Sequence, residues 1–248
     1  MRLGYRKEHS RHDEENPYWI SFSDIMAGLL VIFILASVAL IIKLASMQEE
    51  AEKAIKEIQQ VNQLRTEMLL EVKDKLAAKG IIVEISENMS VLRIPDDQLY
   101  FDTLRHDIPE TKKGLVSEIG TVLYTAIVKD NRFRYIDTIF IEGHTDSRPA
   151  NQLPMGNWGL STYRAIAIWK FWSEDQPYGQ YLKELKNSYG MPMFSVSGYA
   201  ATRRVEEIED TMEKLRSNRR IDLRFAMKKP VIADYEGVIS LIESENEN

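Results

Sequence analysis

Asp24 is the first residue whose type and setting could do chemistry. It stands at the head of an apolar run, WISFSDIMAGLLVIFILASVALIIK (Trp19–Lys43), in which no residue from Ile25 to Ile42 carries a charge. A run of that length reads as a membrane-crossing helix rather than a core helix. An acid in such a helix costs ~2.5–3.5 kcal/mol at the centre and less toward an end. A carboxylate lodged in such a helix is a candidate ion carrier. Ionisable groups in membrane segments face a bundle interior and mark ion pathways; one helix cannot enclose a path, so partner helices must supply the other wall. The plain alternative is that Ser23–Asp24 caps the start of the helix, since Asp is a favoured N-cap residue.

The second set of chemistry-bearing residues is Asp146 and Arg164. Asp146 ends a predicted strand and Arg164 lies in the predicted helix after it, so both can face one sheet edge. An acid beside an arginine suits a ligand that carries an ammonium next to a carboxylate. The guanidinium can grip the carboxylate bidentately, which a lysine cannot. His144 is a candidate for catalysis or metal binding, but a metal needs several clustered ligands, and a structural hydrogen-bonding role is the expectation. No serine stands in a nucleophile-elbow setting. We therefore expect no enzyme activity, no cofactor and no metal. Arg219–Arg220 could make only surface ion pairs, worth little singly, and Trp158, Trp169 and Trp172 read as packing residues.

The elements that must position these groups follow from periodicity. Residues 1–18 are polar, end in Pro17-Tyr18 and read as a cytoplasmic tail, with His9 and His12 as solvated tail residues. Residues 19–44 form the membrane helix, and Tyr18, Trp19 and Phe22 supply its interfacial aromatic belt. The run exceeds a signal peptide's apolar region and no small-residue cleavage site closes it before Lys43, so an uncleaved anchor is expected. Arg2, Arg6, Lys7 and Arg11 precede it, against Lys43, Lys53 and Lys56 after it, a slight bias to an inside N-terminus. Residues 45–80 read as a helical linker: Ile55, Ile58, Val61, Leu64, Met68, Val72 and Leu76 recur at helical spacing, and Gly80 supplies the stop. Two readings of this helix stand side by side: packed on its own domain, or paired with its copy in a dimer or laid over the membrane mouth.

From Ile81 the period changes. IIVEIS and SVLRIP alternate across Glu87–Asn88 as a β-hairpin. Thr111–Val128 reads as an amphipathic helix, Tyr135–Glu142 as a strand, Leu160–Trp172 as a helix and Phe194–Tyr199 as a strand. Val205–Leu215 reads as a helix and Ile221–Met227 as the strand that closes the sheet. Tyr235–Glu243 reads as a last helix before an acidic tail, within residues 229–248. Strands and helices in this order predict an α+β fold over residues 81–228, one mixed sheet covered by helices on one face.

Composition narrows the function classes. The chain of 248 residues has 44% hydrophobic and 28% charged residues, globular values. Its 32 basic and 38 acidic residues give a formal charge of −6. That balance argues against direct nucleic-acid binding, which needs a basic excess. With 0 cysteines there are no disulfides, thiol nucleophiles or cysteine metal sites.

Three stretches resemble the OmpA-like peptidoglycan-binding family over about residues 82–228. They are IEGHTDSRPA, with the Gly-His-Thr-Asp strand end; NWGLSTYRA, matching Asn-x-x-Leu-Ser-x-x-Arg-Ala; and SVSGYA followed by LRSNRRIDLRF, with the Asn-Arg-Arg lead into the last strand. The resemblance implies a peptidoglycan ligand, whose diaminopimelate carries an ammonium beside a carboxylate. It places Thr145 and Asp146 at the ammonium side, Asn157, Leu160 and Arg164 around the pocket, and Arg219 from the Asn-Arg-Arg motif. Ser161 caps or packs. The stretch SRPANQLPMG between Asp146 and Asn157 is longer than the family's and alters the pocket rim.

An acid-bearing membrane helix, a helical linker and a wall-binding domain, in that order, are similar to the MotB-type stator subunits of ion-driven motors. Trp19-Ile-Ser-Phe-Ser-Asp24 resembles that family's Trp-x-x-x-x-Asp. Flagellar members continue with Met/Val-x-Thr, whereas Ile25-Met26-Ala27-Gly28 follows here. With the short N-tail and compact linker, this is closer to the ZorB-type subunits of Zorya anti-phage defence. The resemblance implies a homodimer inside a ring of about five MotA-like, multi-helix membrane subunits (ZorA-like). It also implies a single pass through the bilayer of the bacterial inner membrane, with the N-terminus cytoplasmic and the C-terminal domain periplasmic on peptidoglycan. A flagellar stator subunit and a passive wall anchor are the competing readings, and proton and sodium both stand as the ion.

Overall fold

The computed structural model describes residues 17–86 and 88–229. The expected tail before Pro17, the hairpin residue Glu87 and the last helix Tyr235–Glu243 lie outside the described residues. The chain divides into two units, residues 1–54 and 55–248.

One helix, α1 (Pro17–Ala77), takes up the described part of the first unit and continues into the second. Sequence reasoning separates a membrane helix from a linker, but the structure has a single element. Between Gly28 and Gly80 there is no glycine or proline to interrupt it. In the first unit its apolar residues are uncovered by protein, and it is the one helix among the described residues long and apolar enough to cross a membrane.

In the second unit the same helix is core. Val61, Met68, Leu69, Val72 and Leu76 are buried, while Ile55 and Ile58 remain exposed. From Val61 onward, then, the helix packs on its own domain. It ends in a Schellman turn: Gly80 sits at φ +76 with its N–H on the Ala77 carbonyl (2.9 Å), and the Ile81 N–H reaches the Leu76 carbonyl (3.0 Å). Only glycine takes that φ without strain, and the buried Ile81 closes the turn.

The five strands are β1 (Glu84–Ser86), β2 (Val91–Pro95), β3 (Ile136–His144), β4 (Phe194–Gly198) and β5 (Arg220–Met227). They form one mixed sheet in the order β1-β2-β5-β3-β4, with β3 and β4 parallel and every other pair antiparallel. The helices of this unit after α1 are α2 (Glu110–Val128), α3 (Gly156–Glu174), α4 (Gly179–Glu184) and α5 (Met212–Asn218). The period-2 rule sorts the sheet's faces. Leu92, Ile94, Ile139, Ile141, Ile221, Leu223 and Phe225 join side chains of α1 to α4 in one core. The alternate positions are Arg93, Glu142, His144, Arg220, Asp222 and Arg224, where Arg93 and Arg220 pair with Asp222 and Arg224 pairs with Glu142.

Two tryptophans pack as expected. Trp172 is fully buried with its indole N–H on the Val116 carbonyl (2.8 Å), and Trp169 stacks on Phe194. Trp158 departs from that expectation, being half exposed.

The parallel crossover brings α3 against the ends of β3 and β4 backbone to backbone. A Cβ on Gly143 would collide with the Ser161 carbonyl, and one on Gly198 with Thr162. The expected helix Val205–Leu215 is not there. The helix is only Met212–Asn218, capped by the Thr211 side chain accepting from the Lys214 N–H (3.2 Å). Asn218 explains the difference: its Oδ1 accepts from the Val205 and Glu206 N–H groups, and its Nδ2 donates to the Glu206 carbonyl and to Glu209. The segment's backbone is satisfied by a side chain, so it has no need of helical bonds.

Candidate functional site

Four element ends meet at one corner of the sheet. Asp146 follows β3, Asp96 follows β2, Asn157, Leu160 and Arg164 face inward from the first half of α3, and Arg219 joins α5 to β5. Between them lies an open cleft of about 810 Å³. Thr145, Asp146, Asn157, Leu160, Arg164 and Arg219 all line it. The structure thus brings together the six residues singled out in the C-terminal domain.

Asp146 is the most heavily bonded of them. Its Oδ1 accepts from the Arg148 N–H (3.1 Å), and its Oδ2 accepts from Arg148 Nε (3.1 Å), Arg148 Nη2 (2.6 Å) and Arg219 Nη1 (2.9 Å). Burial works against the charged carboxylate, but these donors outweigh it and hold the group below its ordinary range. Arg219 is fixed from the other side, Nε and Nη2 both donating to Asp96 (3.2 and 2.7 Å). Burial opposes its charge, yet the two aspartates raise its pKa further.

Arg164 is held differently. It is buried at 5% exposure, its Nε donates to the Arg105 carbonyl (3.0 Å), its Nη2 to the Asp102 carbonyl (3.3 Å), and its guanidinium lies 4.9 Å from the Phe101 ring centre. Burial pulls its pKa down to about 10, with Asp96 opposing, so it stays a cation at neutral pH. No carboxylate among the described residues pairs with it, and its Nη1 has no partner there. A charge committed only to neutral carbonyls is free to take an anionic ligand group.

The remaining residues shape the frame. Asn157 Nδ2 donates to the backbone carbonyls of Asp146 and Arg148, bracing the loop. Leu160 is a buried apolar wall. Thr145 is tied by its N–H to the Ala200 carbonyl (2.9 Å), and its buried Oγ1 has no partner among the described residues. Glu209 accepts from the Ser147 N–H with both oxygens (3.2 and 2.9 Å), fixing the residue after Asp146.

His144 is not the structural hydrogen-bonder the sequence suggests. It is 2% exposed, stacks on Tyr199 (ring centres 5.4 Å apart), and neither ring nitrogen makes a hydrogen bond among the described residues. Its Nε2 comes only to 3.5 Å from Asp222. Burial, then Arg220, drives its pKa down to about 3, so the ring is neutral. Glu142, His144 and Asp222 offer donor atoms within 4.8 Å of one another. Their carboxylates are already bound by Arg224 on one side and by Arg93 and Arg220 on the other, so the surroundings disfavour a cation.

Sequence reasoning misses Asp96, Arg148, Phe101 and Glu209, all of which hold or line the cleft. Arg148 carried a signal, since it stands in the longer stretch after Asp146. Asp24 lies within α1, which already runs from Pro17, and is exposed. It is therefore not an N-cap.

A mixed sheet with helices on one face, with an acid–arginine cleft at its strand ends, defines an α+β domain. No family model and no curated protein matches the chain. Solved structures do match it. A putative MotB-like protein from Desulfovibrio vulgaris aligns at 15% identity and TM-score 0.51, over 68% of this chain and 95% of that one. The cell wall anchor of the T6SS from Pseudomonas aeruginosa aligns at 20% identity and TM-score 0.45 (66% and 99%). The periplasmic domain of Helicobacter pylori MotB aligns at 21% identity and TM-score 0.42 (62% and 85%). The first of these likenesses shows the fold: the C-terminal unit has the fold of a MotB-like domain.

Proposed function

We propose that this chain is a stator-type subunit of a proton-driven motor in the bacterial inner membrane, anchored to peptidoglycan by its C-terminal domain. The observation that carries the reading is the convergence of Thr145, Asp146, Asn157, Leu160, Arg164 and Arg219 on one cleft, in a chain whose apolar helix bears an acid. Arg164 meets the carboxylate of a stem-peptide diaminopimelate and Asp146 its ammonium, while Leu160 walls the pocket.

Peptidoglycan lies outside the inner membrane, so this reading makes the C-terminal domain periplasmic and the N-terminus cytoplasmic. Two copies of α1 would present Asp24 to a ring of MotA-like, multi-helix partners. Each carboxylate is neutralised by a proton from the periplasmic side and discharges it inward, gaining about 2.3 kcal/mol per 100 mV. With the dimer tethered, the ring turns. Ile25-Met26-Ala27-Gly28 after the acid favours a Zorya-type defence complex over a flagellar one. A passive anchor would give Asp24 a capping role, which its place inside α1 does not support.

The test has two arms. The full chain should co-sediment with sacculi, and Asp146→Asn with Arg164→Ala should abolish that. The complex with its partner, reconstituted in vesicles, should carry protons, and Asp24→Asn should stop the current. Sedimentation untouched by the double substitution, or current untouched by Asp24→Asn, refutes the corresponding half.

A further inference from the structure

Asp146 is the group proposed to meet the ligand's ammonium, yet its Oδ2 is already fully taken up. An ionised carboxylate offers about four acceptor sites. Asp146 already accepts four hydrogen bonds: the Arg148 N–H on Oδ1, and Arg148 Nε, Arg148 Nη2 and Arg219 Nη1 on Oδ2. Oδ2, with three donors against about two acceptor sites, is oversubscribed, so an ammonium that takes it has to displace a donor that is already there.

The two guanidinium groups are not equally displaceable. Arg219 has 18% side-chain exposure and is clamped bidentately to Asp96, so moving it would strand a second carboxylate. Arg148 has 55% side-chain exposure, stands in the loop between β3 and α3, and makes no side-chain bond to any described residue except Asp146. Its backbone N–H keeps its own bond to Oδ1 if the side chain leaves. Swinging it out gives up one partly exposed ion pair and strands no second carboxylate, and the incoming ammonium takes over the buried Asp146 Oδ2.

We propose that Arg148 is a built-in competitor for the ammonium site. Its guanidinium occupies Asp146 Oδ2 in the empty cleft, is expelled by the ligand's ammonium, and sets the affinity by the strength of the pair it gives up. This inference rests on the reading above that the cleft takes an ammonium–carboxylate ligand. Arg148 acts by exclusion, so removing it tightens binding, the reverse of what removing Arg164 does.

Calorimetric titration of the full chain in detergent with a diaminopimelate-containing stem tripeptide tests it. Arg148→Ala and Arg148→Gln should each lower Kd by about two- to fivefold, on the order of one partly exposed ion pair. A tripeptide acetylated on the diaminopimelate side-chain amine should bind the wild type and both variants alike, since the gain belongs to the ammonium alone. Unchanged or weaker binding by the Arg148 variants, or a gain that persists with the acetylated peptide, overturns the proposal. If Asp146→Asn still abolishes binding in that case, the ligand assignment stands and only the competitor role falls. Absence of binding by the wild type and the variants alike overturns both.

Discussion

His144→Phe should leave the protein at least as stable near pH 7.5 and markedly more stable than wild type at pH 5. The ring is 2% exposed, and neither nitrogen has a hydrogen-bond partner among the described residues. A phenyl ring keeps the stack on Tyr199 while removing two orphaned polar atoms, each of which costs about 1–3 kcal/mol when buried. Burial, seconded by Arg220, lowers the folded-state pKa from 6.5 to about 3. Because the folded value is depressed, the unfolded chain binds the proton first. The stability this neutral ring supplies is complete above pH 6.5 and is lost as pH falls toward 3. The slope is about 1.4 kcal/mol per pH unit, which comes to about 2 kcal/mol at pH 5. Urea unfolding of the full chain in detergent, followed by tryptophan fluorescence at pH 7.5 and 5.0, measures it. Wild type should lose about 2 kcal/mol more than His144→Phe between those pH values. Equal losses, or a variant destabilised by more than about 1 kcal/mol at pH 7.5, would refute the reasoning and show that a ring nitrogen has a partner.

Two further substitutions test the frame of the cleft. Gly143→Ala drives a methyl into the Ser161 carbonyl where β3 meets α3, and should cost about 1–3 kcal/mol or more, read as a lowered Tm. Asn218→Ala removes the four hydrogen bonds that hold 205–209, leaving partly buried backbone groups without partners. It should cost about 2–4 kcal/mol and make the segment before α5 the first site of limited proteolysis.

Periodicity was enough for the regular part of the fold. Strand β5 alternates polar and apolar residues from Arg220 to Phe225, and β2 and β3 carry short apolar runs (Val91–Leu92 and Ile139–Ile141), so their positions in the sequence are plain. The helix expected over Val205–Leu215 failed because Asn218 bonds two amides at a distance, and no local pattern announces such a bond. The extent of the core failed in the other direction: the apolar stripe of α1 looks the same at exposed Ile58 and at buried Val61 and Val72. For the cleft, Asp146 and Arg164 stood out by type and spacing. Asp96 did not, because its role depends on pairing with Arg219, far away in sequence. The identity of His144 was legible but its state was not, since a lone histidine says nothing about which charges surround it.

Gly143 sits directly against the Ser161 carbonyl of α3, with no side chain between strand and helix at that point to act as a cushion. The spacing of Asp146 and Arg164 is thus held like the jaws of a caliper, by a main-chain contact that no change of rotamer relaxes. Adaptation to a different ligand would have to come from the loop between β3 and α3 that carries Arg148, which can be lengthened, shortened or re-charged while the jaws stay put.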